Sequence, residues 1–132
     1  MADFAAAPYT ILSSTEIVDG PIAQAQFFTT TKLADANPKV VEALKAAVLE
    51  AIDLIKTDTR AAVEIYREVN KDKMSVEELL DAMKQPGMME FTAAPPNTMK
   101  IATHMHRTGT LKTLPKAWTD YYLPVAYDLP GS

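Results

Sequence analysis

The stretch PKVVEALKAAVLEAIDLIK, residues 38–56, is the longest segment of the chain that reads as a single structure. Asn37 before it is a favoured N-cap, since its side-chain oxygen can accept one of the amide hydrogens left unpaired in a helix's first turn. Pro38 falls at the first helical position, where a missing N–H costs nothing and the fixed φ is already helical. Val41, Leu44, Val48, Ala51, Ile52 and Ile55 recur at helical spacing and form one apolar stripe. Val40, Ala47 and Leu54 add a flanking stripe, leaving Lys39, Glu42, Lys45, Glu50, Asp53 and Lys56 for the remaining face. So much apolar surface predicts a helix covered on two sides. On that reading Val48→Asp and Leu54→Asp are both damaging, whereas Lys45→Asp is nearly silent.

Upstream, residues 9–18 (YTILSSTEIV) carry β-branched and aromatic residues in two short pieces around Ser13-Ser14, and Asp19-Gly20-Pro21 is turn chemistry. Residues 22–31 (IAQAQFFTTT) alternate and then become Phe-Phe-Thr-Thr-Thr, which predicts a strand. Residues 33–36 fit one helical turn leading into Asn37. Downstream, Thr57-Asp58 reads as a cap for a second helix over 59–69, with Ala62, Ile65, Tyr66 and Val69 inward. Ser75 and Glu78 have capping-box spacing, opening a third helix with Val76, Leu79, Leu80 and Met83 inward. Pro86-Gly87 ends it, and residues 88–94 read as extended or irregular. Pro95-Pro96-Asn97 opens a fourth helix to Thr108, and Gly109 fits its left-handed C′ position. The tail, 110–132, is interrupted by Pro115, Pro124 and Pro130, so its Trp118, Tyr121, Tyr122, Leu123 and Tyr127 are expected to pack back onto the helices.

The length, 132 residues, is one domain's worth of chain, and 48% hydrophobic with 23% charged residues excludes a disordered composition. A net charge of −4 without a basic run argues against nucleic acid as a partner. No apolar run is long enough for a membrane span, and residues 1–10 (MADFAAAPYT) lack the cationic start of a signal peptide. The absence of cysteine excludes disulfides, thiol catalysis and zinc–thiolate sites.

Little in the chain has the spacing of a reactive site. His104 and His106 are two apart, roughly 200° around a helix, and cannot chelate one metal from it. Glu77, Glu78 and Asp81 resemble an acid cluster, but the capping box accounts for Glu78 and a solvated face for the other two. Met83, Met88 and Met89 read as core filler. There is no glycine-rich phosphate loop, no nucleophile elbow and no HExxH.

The order of segments resembles a known family. FFTTTKLADANPKVVEALKAAVLEAIDLI is similar to the strand, short leader, Asn-Pro and long Ala-rich helix of solute-binding proteins from the nitrate/sulfonate/taurine class of ABC importers. KDKMSVEELLDAMKQPGMMEFTAAPPNTMKIATHMHRTGTLKTLPKAWTDYYLP resembles the C-terminal helices of the same family, and the closing YDLPGS after Trp-x-Asp-Tyr is similar to its ending. The resemblance covers nearly the whole chain, most clearly 27–132.

This resemblance implies an α/β fold, the C-terminal part of a type II periplasmic-binding-protein fold, helix-rich with two or three short strands. Residues 1–132 would form a single partial domain, with crossing strands and loops over 1–36, a helical region over 37–109 and an aromatic tail over 110–132. A complete receptor is more than twice this length, so the first βα units, the signal peptide and most of the second lobe are expected to lie outside this chain. The parent would be periplasmic or otherwise extracytoplasmic. It would bind a small organic or anionic solute, such as a sulfonate, nitrate or a pyrimidine-like compound, and deliver it to an ABC permease without cofactor or bond chemistry. Phe4, Ala5, Ala6 and Tyr9, where the chain would leave the second lobe, are the candidate ligand-binding residues: the rings for stacking, the alanines through their backbone. An alternative within the same fold is a thiamine-pyrimidine-synthase-like enzyme, which would need a lysine for pyridoxal phosphate and paired histidines, neither evident here. Another is a stand-alone helical protein-interaction module, a truncated fold stabilised by a partner chain or by self-association, with the strand 22–31 and the two-faced helix as its surface.

Overall fold

The run that begins at Pro38 folds as α3, Pro38–Thr57, the longest helix of the chain. The computed structural model describes residues 14–23, 25–84 and 91–132. In chain order the elements are α1 Ser14–Val18, α2 Thr31–Ala36, α3, α4 Thr59–Asn70, α5 Val76–Met83 and α6 Thr98–Arg107, with single 3₁₀ turns at Trp118–Asp120 and Pro124–Ala126. The described chain is helix-rich, and no strand occurs among the described residues. By their contacts these residues fall into two compact units. The aromatic unit joins the described residues up to Gln26 to Pro95–Tyr122 and Pro130–Ser132, and the helical unit holds Phe27–Ala94 and Leu123–Leu129.

Several helix boundaries lie where local chemistry predicts them. Pro38 is at the start of α3. Asp58 closes α3 with its N–H on the Leu54 carbonyl at 2.8 Å and opens α4 by accepting from the Ala61 amide at 3.0 Å. The capping box is complete: the Glu78 N–H donates to Ser75 Oγ at 3.2 Å, and the Ser75 N–H donates to Glu78 Oε2 at 2.7 Å. The Ser75 hydroxyl also donates to Glu78 Oε2 at 2.7 Å, and the backbone bond first and this hydroxyl bond second hold the Glu78 carboxyl below the usual glutamate range. Ser75→Ala removes one arm of the box, and its expected cost is about 1 kcal/mol in a urea melt followed by circular dichroism.

Other expectations need correction. Asn37 does not cap α3 with its side chain. Its Nδ2 donates to the Leu33 carbonyl at 3.1 Å, and its backbone N–H reaches Leu33 and Ala34. With α2 ending one residue earlier, the unpaired carbonyls of that helix are the nearer partners. The hydroxyl cap lies further back, where Thr30 Oγ1 accepts from the Leu33 amide at 3.2 Å. The predicted strand over 22–31 is absent: the described residues there carry no ladder, and Thr31 already belongs to α2. β-Propensity expresses packing against neighbouring strands, and none is at hand among the described residues. Residues 14–18, read as part of a β-branched stretch, form α1.

Burial also departs from the expected pattern. In the helical unit α3 packs on α2, on α4 and on the Pro124–Ala126 turn, and α4 packs on α5. No α3 residue is fully buried: Val41, Val48, Ile52, Leu54 and Ile55 are half-buried, while Val40, Leu44, Ala47 and Ala51 are exposed. The expectation of a helix covered on two sides therefore fails. In α4 the buried residue is Val63, with Thr59, Ala61 and Ala62 half-buried, whereas residues 64–70, including Ile65, Tyr66 and Val69, are exposed. Only the first half of α4 is covered, so the predicted inward stripe is largely in solvent.

Helix α6 ends as predicted. Gly109 has φ 78°, a left-handed conformation that glycine adopts without steric cost. Its N–H donates to the His106 carbonyl at 3.0 Å, and the Thr110 N–H donates to Met105 at 2.8 Å. This pair of bonds satisfies carbonyls that the helix itself leaves open.

Candidate functional site

The candidate ligand-binding residues Phe4, Ala5, Ala6 and Tyr9 lie outside the described residues. Of the described residues singled out for chemistry, the histidines are turned to local partners. His106 Nδ1 is 3.0 Å from the Leu111 carbonyl, which can only accept, so the proton sits on Nδ1. His104 Nδ1 is 3.2 Å from Arg107 Nη2. No group of three or more histidine, cysteine or acidic residues that could hold a metal ion is found among the described residues. The acidic trio is dispersed in the same way. Glu78 serves the capping box, Glu77 meets Arg60 at 3.1 Å across α4 and α5, and Asp81 meets Lys84 at 2.7 Å. Glu77 is held below the usual glutamate range by a backbone N–H first and by Arg60 second.

Two shallow grooves mark the helical unit. One, of about 320 Å³, sets Glu64, Glu68 and Asp72 against Arg67 and Lys71, so its charges largely cancel. The other, of about 400 Å³, runs along α3 past Ala47, Ala51 and Leu54, with Glu50 and Asp53 at its side. Neither is lined by an aromatic ring.

One well-connected polar group of the helical unit is a residue that the sequence reading set aside. Lys45 Nζ donates to both carboxylate oxygens of Asp128, at 2.5 and 2.7 Å, and to the Val125 carbonyl at 2.8 Å. Lys45 is therefore the anchor of the Pro124–Ala126 turn on α3, and Lys45→Asp is expected to cost more than its polar-face position predicts. The hydrogen bond from Lys45, aided by its charge and opposed by some desolvation, holds the Asp128 carboxyl below its ordinary value of 3.8. An unfolded chain takes up that proton first as pH falls. The contribution is thus present above the ordinary aspartate value and is lost as pH drops through the lowered folded one. The gap in urea midpoint between the native chain and Lys45→Met is expected to narrow between about pH 6 and about pH 3. A gap independent of pH would show that the lysine acts through its stem and the Val125 carbonyl and not through Asp128.

The aromatic unit gathers most of the tail's rings. Trp118 and Tyr122 meet edge to face with centroids 5.4 Å apart, and Tyr121 lies 5.3 Å from Tyr122. Tyr121 donates its phenol proton to Thr98 Oγ1 at 2.8 Å, and Thr98 Oγ1 donates to the Ser132 carbonyl at 2.9 Å. The Tyr122 hydroxyl is buried without a hydrogen-bond partner among the described residues. Burial, with the neighbouring Tyr121 adding to it, pushes this phenol above the usual tyrosine range. Lys100 ties the same helix to α1, its Nζ donating to the carbonyls of Val18 and Asp19.

What this unit brings together is ring faces and a chain of hydroxyls at the start of α6. Of the tail aromatics expected to pack onto the helices, Trp118 and Tyr122 are half-buried while Tyr121 and Tyr127 are exposed; the roles of Thr98, Lys100 and Lys45 were not legible. Their partners stand 23 to 83 positions away, so no short-range pattern signals them. Comparison with known proteins gives no family model, no curated protein and no solved structure that matches this chain.

Proposed function

We propose that this chain is the C-terminal part of a solute-binding receptor of an ABC importer of the nitrate/sulfonate/taurine class, built on a type II periplasmic-binding-protein fold. It would act outside the cytoplasm, contribute to holding a small organic or anionic solute, and work with a membrane permease rather than perform bond chemistry. The observation that carries this reading is the ordered run of stretches from FFTTT through ANPKVVEALKAAV, SVEELL and APPNTMK to YDLPGS. Two features are consistent with it. The four longer helices follow in the expected order, and apolar side chains such as Phe27, Phe28, Val40 and Leu44 stand in solvent, where a larger receptor would place a sheet or further helices.

The test is the reading frame upstream of Met1 together with a binding measurement. An open frame for two α/β lobes is expected, and its full product is expected to bind an alkanesulfonate or nitrate in calorimetry. Deleting residues 27–132 from that product should abolish the heat. A frame without such lobes, or binding that survives the deletion, overturns the proposal.

The exposed side chains also favour a second reading, self-association of this chain through its apolar faces. Phe28 is 97% exposed, an unusual position for a large ring. Sedimentation equilibrium separates the two: a dimer that persists on dilution favours self-association, and a monomer at high concentration removes it.

A further inference from the structure

Helix α6 begins without a side-chain cap of its own. Asn97 occupies the N-cap position in left-handed backbone, φ 55°, and makes no side-chain cap bond. Its Nδ2 donates instead to the Pro21 carbonyl at 2.7 Å. The amides that open the helix are taken by a residue far along the chain. The Asn97 N–H donates to Ser132 Oγ at 2.9 Å. The Thr98 and Met99 amides donate to the Ser132 carbonyl at 2.7 and 3.3 Å. That carbonyl also accepts from Thr98 Oγ1, and the Ser132 N–H donates to Pro95 at 3.1 Å.

The residue before Ser132 is selected by space. Gly131 lies against the indole of Trp118: a Cβ there would stand 2.5 Å from Cε2 and 2.6 Å from Cδ2, closer than carbon atoms approach without bonding. Any side chain forces the ring or the backbone to move. Pro130 and Ser132 are themselves exposed. The contact is held by hydrogen bonds, that of Asn97 exposed and that of the Thr98 hydroxyl part-buried, each of small net value, together with the seat of Gly131 on the indole.

We propose that residues 130–132 form a releasable strap, docking on the start of α6 as one piece and opening without the rest of the aromatic unit. The strap supplies the cap that the helix lacks, and its seat accepts only glycine beside Trp118. Once vacated, the seat offers unpaired amides and an indole face, and it takes a Pro-Gly-Ser segment of the same chemistry from a second copy of this chain.

The experiment reads amide exchange by NMR in the full chain, with the emission of the chain's one tryptophan as a second signal. In Gly131→Ala the Thr98 and Met99 amides are expected to exchange at least ~10-fold faster, with α4 unchanged, as a local opening requires. Trp118 emission shifts to the red. Acetyl-Asp-Leu-Pro-Gly-Ser added at millimolar concentration restores slow exchange, and the same peptide with alanine for glycine does not. Ser132→Ala keeps the carbonyl and the glycine, so it speeds exchange at Asn97 alone. Unchanged protection of Thr98 and Met99 in Gly131→Ala overturns the proposal. Loss of protection throughout α6 in either variant does the same, as does a glycine peptide that leaves the rates unaltered.

Discussion

Val63→Asp is expected to unfold the helical unit under conditions where the native chain is folded. Val63 is 3% exposed, the deepest large side chain described, in the half of α4 that is covered. A carboxylate there has no partner supplied and must either lose its hydration or force the helices apart. An uncompensated buried charge costs roughly 3–5 kcal/mol, a large part of the 5–15 kcal/mol that keeps a domain folded. The control is on the same helix: Val69 is 74% exposed, and Val69→Asp is expected to cost under about 0.5 kcal/mol. Urea melts of both variants, followed at the helical circular-dichroism band, decide the matter. Equal midpoints would show that α4 is not held by its first half.

Thr98→Val carries the second large effect. Thr98 is 4% exposed, and its hydroxyl accepts from Tyr121 while donating to the Ser132 carbonyl. Valine matches the shape but removes both bonds. The carbonyl retains two amides, while the phenol loses its acceptor. The expected loss is roughly 1–3 kcal/mol. Thr98→Ser keeps the hydroxyl and sheds a methyl, so it is expected to cost about 1 kcal/mol. Tyr121→Phe should add little in the valine background, because residues sharing a network are not additive. A Thr98→Val chain as stable as the native one would mean that the hydroxyl chain contributes nothing net.

These two positions show what the sequence could and could not convey. Helix ends were readable because their signals lie within four residues of one another: Pro38 at a first turn, Asp58 between two helices, Ser75 with Glu78, Gly109 after α6. The covered face of α4 was not. Both Val63 and the line through Ile65, Tyr66 and Val69 are apolar, and only packing with α3 and α5 decides between them. The strand over 22–31 failed for a related reason, since extended propensity needs a neighbouring strand to become a ladder. Lys45 looked like an ordinary solvated lysine because Asp128 is 83 positions away. The junction at Thr98 was not legible, since it depends on where Ser132 returns. Phe4, Ala5, Ala6 and Tyr9 rest on the family resemblance alone.

The helical unit draws most of its residues from one continuous run, Phe27–Ala94, while the aromatic unit joins three separated segments. The two are therefore expected to mature at different times. Contacts between successive helices close short loops, and such contacts form early. The aromatic unit must bring the stretch ending at Gln26 onto α6 across that whole run, and the entropy of closing so long a loop is met before any of its bonds reward it. Synthesis from the first residue onward reinforces the order, because α2 to α5 are complete before Thr98 exists. Pulse-labelled exchange during refolding is expected to protect α4 amides first and the first turn of α6 last. In the interval, the rings of Trp118, Tyr121 and Tyr122 remain in solvent on a chain whose helices α2 to α5 are already made, and that species is the one most prone to associate at high concentration.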